Sequence, residues 1–168
     1  IDPNQFETAF RNWVFSFYTI KEGKIIAIDG KRVRGSYGNG KAAIHMVGAF
    51  ATEAGLALAQ VKTSDKSNEI TAIPQLLDAL VLNGCIVTLD AMGCQKNIVQ
   101  QIHQKEGNYV ISLKGNQGTL HDDVLLFLSS QKKHGFKNIP HDFYETIKKG
   151  HGRIEIRHKG IFLSIFYY

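Results

Sequence analysis

The segment Lys24-Ile-Ile-Ala-Ile-Asp29-Gly30-Lys31 places the tightest constraint on what this chain can become. An apolar run that closes on a carboxylate and a glycine reads as a buried β-strand presenting an acid at its end. Buried parallel strands are near-continuous hydrophobic segments, and open α/β sheets bind their ligands beyond the strand ends. The same device recurs at Cys85-Ile-Val-Thr-Leu-Asp90-Ala-Met-Gly93. Two such strands lying side by side would hold Asp29 and Asp90 together, although 61 positions separate them.

The surrounding elements follow from periodicity. Phe6, Phe10, Trp13, Val14 and Phe17 recur at helical spacing and predict an amphipathic helix over 4–18 whose aromatic stripe belongs to the core. Strands are expected at 24–29, 43–51 and 56–62, joined as an antiparallel meander. Residues Gly35 to Ala42 nearly match a phosphate-binding loop, but Ala42 stands where a magnesium-binding hydroxyl is needed and a strand follows instead of a helix. The stretch reads as a hairpin loop. A helix through Leu82 should bury Ile73, Leu76, Leu77 and Leu80, with Pro74 in its first turn. A β-α-β unit comes next, with strand 85–90, helix 94–106 and a parallel strand 109–114. A last helix is expected at 119–129, and strand-like pieces lie at 143–148 and 153–157.

The 168 residues fit one domain with a real core, and no run approaches the roughly 18 apolar residues of a membrane span. The opening residues lack the pattern of a signal peptide, and Cys85 and Cys94 are read as free thiols, so a cytoplasmic setting is expected. Charge is uneven. Residues 1–130 carry 12 basic and 12 acidic side chains, so the formal +5 lies entirely in residues 131–168, beside His134, His141, His151 and His158. A basic end on a neutral α/β body points to a polyanion, nucleic acid first.

Three antiparallel strands, then helix, strand, helix and strand, is the order of the ribonuclease H-like fold, in which the first strand lies beside the fourth. Two carboxylates converging there without His or Cys suit a hard cation, magnesium or manganese. A pair of such ions can activate water and stabilise the leaving oxygen of a phosphodiester. Four motifs carry a resemblance to a known family: Ile-Ala-Ile-Asp29-Gly-Lys31-x-x-Arg34-Gly-Ser, Lys62-Thr-x-x-Lys66-Ser-Asn-Glu69-Ile-Thr-Ala-Ile-Pro74, Thr88-x-Asp90-Ala-Met-Gly-Cys-Gln95-Lys96 and Leu113-Lys-Gly-Asn-Gln117. From about Phe6 to about Arg157 the chain resembles the H-repeat-associated transposases, bacterial insertion-sequence proteins of the DDE type. The resemblance implies that Asp29 and Asp90 are the first two acids of a metal-binding triad holding two magnesium or manganese ions. It also implies double-stranded DNA, the element's inverted repeats and target, as partner, a homodimer for synapsis, and strand cleavage and transfer as the reaction.

The family's third acid is a glutamate in a His-Trp-x-Ile-Glu-Asn helix, and no such stretch occurs here. Two readings stay open: Glu155 is the third acid, or the chain is a truncated core without one, an inactive remnant that binds DNA or a full-length relative. The domains expected are a catalytic core over 1–134 and, over 135–168, the start of a strand-rich insertion with an atypical tail at 158–168. Lys31, Arg34 and Lys114 are candidate phosphate contacts, with Arg32, Asn116 and Gln117 beside them. Glu69 opens a helix, where a carboxylate is favoured by the dipole in any case. Cys94 reads as packing, and His121-Asp122-Asp123 is a poor metal site because helix neighbours point apart.

Overall fold

The computed structural model describes residues 2–18, 22–36, 38, 43–63, 69–137, 139–150 and 153–162. By their internal contacts the residues form two compact units, Ile1–Gln117 and Gly118–Tyr168, a division upstream of the 134–135 boundary read from the sequence.

The first unit is a mixed five-stranded sheet in the order β3-β2-β1-β4-β5. Strands β1 (Ile25–Arg32), β2 (His45–Ala51) and β3 (Leu56–Thr63) form the expected antiparallel meander. Strand β4 (Ile86–Leu89) pairs parallel with β1 on one side and with β5 (Asn108–Ile111) on the other. The first strand therefore lies beside the fourth, as expected. Alternation assigns the faces. Ile26, Ile28, Val47, Ala49, Val87 and Leu89 point to one side and are buried against helix α2 (Glu69–Asp78) and its neighbours.

Strand β1 is longer than predicted. It does not end at Asp29, because β2 pairs with it as far as Arg32, whereas the β1–β4 ladder reaches only Ala27 and Thr88. A hairpin partner thus extends the strand after its parallel neighbour has turned away. Ser36 closes the hairpin: its hydroxyl donates to the Val33 carbonyl at 2.7 Å and accepts from the Ile44 N–H at 2.8 Å. Residues 39–42 of the phosphate-loop lookalike lie outside the described residues, and the strand after it is β2.

Helix α2 opens at Glu69, as expected, but departs from the prediction in the place of its proline and at its C-terminal end. Pro74 is its sixth residue, and it ends at Asp78 instead of Leu82. Proline there cannot donate to the preceding turn, yet Ala72, Ile73, Leu76 and Leu77 are buried, and so are Leu80 and Leu82 just beyond. Apolar burial outweighs local preference here. The carbonyl end of α2 is satisfied from outside. The Lys105 ammonium donates to the carbonyls of Leu77 (2.6 Å) and Asp78 (3.1 Å), and the Gln101 amide donates to the Pro74 carbonyl at 3.0 Å. A cation at that end also complements the helix dipole.

Helix α3 (Lys96–Gln104) is shorter than the predicted 94–106, because a 3₁₀ turn, Ala91–Gly93, takes up the chain after β4. The helix gives way through Glu106 at φ 57°. Gly107 follows in a confined position: a Cβ there would lie 3.0 Å from Ile102 Cγ2 and 3.3 Å from both the Ile102 carbonyl oxygen and Leu82 Cβ. Gly107→Ala is expected to cost about 1–3 kcal/mol by overpacking, measured by chemical denaturation. An unchanged midpoint would show that the turn relaxes freely.

The N-terminal helix α1 (Pro3–Phe17) forms where expected but buries less than its stripe predicts. Val14 is buried, and Phe10, Phe15 and Tyr18 pack partly against the core, whereas Phe6 and Trp13 remain 61% and 60% exposed. Helical periodicity identified the helix; only its contact with β3 decides how much of the stripe is covered.

The second unit holds α4 (Gly118–Lys133), longer than the predicted 119–129, and an antiparallel hairpin of β6 (His141–Gly150) and β7 (Arg153–Phe162). Both strands outrun the pieces read from the sequence. Leu125 of α4 is exposed, and none of the helix's described residues is fully buried. The rings of Phe136, His141 and Phe143 stack edge to face or tilted at 5.2–5.6 Å and hold the start of β6. Of the tail 158–168, residues beyond Phe162 lie outside the described part.

Candidate functional site

The sheet sets the two aspartates near the end of one parallel ladder. The β1–β4 pairing ends at Ala27 and Thr88, an offset of 61 residues, so Asp29 and Asp90 each lie two residues past its last pair. Ile28 and Leu89, one residue earlier on each chain, are buried in the core, so Asp29 and Asp90 both belong to the opposite face and both are exposed. Asp29 is still within β1, whereas Asp90 follows the last residue of β4.

The two acids are held differently. Asp29 sits within β1, backed by Gly48 of β2 directly opposite. Asp90 is the first residue after β4 and caps the 3₁₀ turn, its Oδ1 accepting from the Met92 N–H at 2.9 Å. Gly93 makes this turn tight, since a Cβ there would stand 3.0 Å from Leu89 Cβ. The loop after β5 braces it from the other side, where the Asn116 amide donates to the Ala91 carbonyl at 3.0 Å. Among the described residues neither carboxylate takes part in an ion pair.

The remaining candidates separate into those near the pair and those elsewhere. Lys31 lies two residues beyond Asp29 on the same strand, and Arg34 is in the turn that follows; both line an open groove along β1 and β2 with Asp29 and Arg32. Lys114 is exposed just before the turn Gly115–Gln117, and Gln117 returns a backbone N–H to the Lys114 carbonyl at 3.0 Å. Ser112, level with Asp90 in the β4–β5 register, donates its N–H to the Leu89 carbonyl. The side chains of Glu69 and Glu155 lie outside what is described. Burial pushes the thiols of Cys85 and Cys94 up, so neither is primed as a thiolate nucleophile, which agrees with a packing role. His121 contacts Asp122 at 3.3 Å without building a ligand set. Among the described residues no group of three or more His, Cys, Asp or Glu side chains gathers.

Gly48 and Gln60 were not singled out in the sequence. They stand in line with Asp29 across β2 and β3. A glycine in the middle of an apolar strand was the only available signal, and its relation to Asp29 needed the register.

The first unit is thus an α/β domain whose mixed sheet carries one acid in β1 and another just past β4, the parallel neighbour of β1. Residues 20–162 match the Transposase DDE domain family, and the chain belongs to that family. It is 48% identical over 159 residues to YncI of Escherichia coli K12, a protein that carries a transposase name, covering 94% of this chain and 63% of YncI. It is 43% identical to the H repeat-associated transposase-named protein YhhI of the same organism, over 94% of this chain and 41% of YhhI. The chain therefore spans less than two thirds of the length of these curated relatives. A solved piggyBac transposase synaptic complex with hairpin DNA resembles it with a TM-score of 0.46 and 14% identity, over 67% of this chain and 27% of the other. No described helix is long and apolar enough to cross a membrane.

Proposed function

We propose that this chain carries the ribonuclease H-like core of a DDE transposase, with Asp29 and Asp90 as its first two metal-binding acids and DNA as its substrate. The observation that supports the reading is the parallel pairing of β1 with β4: each aspartate follows the ladder's last pair by two residues, exposed and without an ion pair among the described residues. The donor set fits a hard cation. Magnesium is bound by one or two carboxylates, keeps several waters, and takes substrate phosphate oxygens. Bound there, such an ion would polarise a phosphodiester and favour an attacking hydroxide. Asp90 would help to hold such an ion, and its Oδ1 already accepts from the Met92 N–H, which orients the carboxylate. A full two-ion site calls for a third carboxylate, which the family pattern supplies from a glutamate.

The hairpin supports DNA as the partner. Its register divides the ribbon into two faces: Tyr144, Thr146, Arg157 and Lys159 share one, while Phe143, Ile147 and Ile156 share the other. A two-stranded ribbon fits the major groove, and phosphate contacts dominate affinity and make it salt-dependent. Lys31→Ala and Lys159→Ala are each expected to lower the slope of log affinity against log salt concentration by about 1. Equal slopes for wild type and both variants would remove these lysines from the interface.

The function itself is tested by titrating manganese into the protein by calorimetry, then adding labelled duplex DNA and following nicking. Metal binding that enables DNA cleavage supports the catalytic core. Salt-dependent DNA binding with no metal uptake would support a binding remnant instead.

A further inference from the structure

Gly48 is a strand-interior glycine that lies beside the β2–β3 register shift between Ala49 and Phe50 but not in it, since it keeps regular pairs with Asp29 and Gln60. Its φ is not in the left-handed region, and a Cβ added there would meet only Gln60 Cγ at 3.6 Å and the Ala59 carbonyl oxygen at 3.9 Å, both ordinary contacts. Gly93 and Gly107, by comparison, are each confined by a neighbour at 3.0 Å, and Gly23, Gly35, Gly55 and Gly84 sit at positive φ. A glycine inside a strand weakens it, and where nothing within the protein requires one, it marks a place that a ligand or another backbone approaches closely.

What lies outside Gly48 is specific. It pairs directly with Asp29, and residues paired across an antiparallel ladder project to the same face. On that face Met46 and Phe50 flank the glycine along β2, Lys31 stands opposite Met46, and Gln60 stands opposite Gly48 from β3. Together with Arg34 these residues line a groove of about 610 Å³ that opens beside Asp29. Phe50 is 43% exposed and paired with the small residues Ala27 and Ala57. The groove, which Arg32 also lines, therefore offers a carboxylate, three cations and an aromatic ring around a strip with no side chain at its centre.

We infer that Gly48 is a clearance position: it keeps the sheet face beside Asp29 open so that one DNA strand can lie in this groove, its phosphates toward Lys31 and Arg34 and a base against Phe50. A single strand is the occupant that this chemistry favours. Positive charge tracks a phosphate backbone, and an exposed aromatic ring stacks a base that is not held in a duplex. The inference rests on the reading of Asp29 and Asp90 as metal-binding acids and adds to it how the strand reaches them.

The test fills the strip without touching any charge. Gly48→Ala and Gly48→Val are made, the second β-branched and suited to a strand. Each is compared with wild type in thermal unfolding, in manganese binding by calorimetry, and in binding of a fluorescein-labelled single-stranded oligodeoxynucleotide with and without manganese. Melting temperatures unchanged or raised, manganese binding retained, and oligonucleotide affinity in manganese weakened at least about tenfold for valine, and less for alanine, is the expected result. Undiminished affinity for the valine variant would overturn the clearance role while leaving the metal site standing. A valine variant that unfolds early would leave the alanine variant to decide, since a methyl group at 3.6 Å is accommodated; wild-type affinity there overturns the inference. Wild-type protein that takes up no manganese would overturn both the inference and the reading beneath it.

Discussion

Asp29→Ala is expected to abolish manganese binding and any metal-dependent nicking while leaving thermal unfolding unchanged. The side chain is exposed, lies on the face away from the core, and makes no ion pair among the described residues, so removing it leaves nothing buried and unsatisfied. Asp90 responds differently because it has two tasks. Asp90→Ala removes a ligand and also the acceptor for the Met92 N–H, so it should lose metal binding and destabilise by about 1 kcal/mol as well, the usual worth of a cap. Asp90→Asn keeps an acceptor oxygen for that N–H and removes only the charge, so its stability should match wild type while metal binding is still lost. Calorimetry with manganese and thermal unfolding on the three variants separate these effects. Metal binding that survives both Asp29→Ala and Asp90→Asn would end the case for a shared site.

Leu76→Ala should produce the largest change in stability, a loss of about 2–5 kcal/mol. Leu76 is 0% exposed in the last turn of α2, the helix that packs on β2 and β3. It sits among Ile73, Leu77 and Leu80 on one side and strand residues such as Val47 and Leu58 on the other, all buried in the same cluster. Deleting most of its side chain removes apolar burial and leaves a cavity that close-packed neighbours fill only partly. A domain stable by about 5–15 kcal/mol would surrender a large share of its margin, with a melting temperature lower by roughly 10 °C. Manganese binding at a temperature well below the transition should persist, because the strands that carry Asp29 and Asp90 keep their register. A shift under about 1 kcal/mol would mean that α2 does not pack as described.

Much of the sheet was legible because its strands announce themselves by composition. Ile25 to Ile28 and Ile86 to Leu89 are short, apolar and bounded by turn residues, and the β-α-β unit leaves little choice of direction. The ends of elements were less legible because partners set them. Strand β1 runs past Asp29 only because β2 continues beside it. Helix α2 begins five residues before Pro74 because the helix's apolar face, and not the proline, decides where it forms. The aromatic stripe of α1 showed a helix but not its burial, since periodicity does not reveal how much neighbouring surface exists to cover Phe6 and Trp13.

By itself the amino-acid sequence determined the element order, the neighbourhood of β1 and β4, and the two acids as the centre of interest. Those are consequences of local pattern and of the few topologies that pattern permits. Only the tertiary structure decided that Ala27 pairs with Thr88 in the parallel ladder, that Asp90 is oriented by its own turn, and that the residue opposite Asp29 is Gly48. Register decides such matters, because in a sheet a slip of one residue turns every side chain to the other face. Pairing between strands far apart in the chain is set by how a whole face packs, and no single segment carries that information.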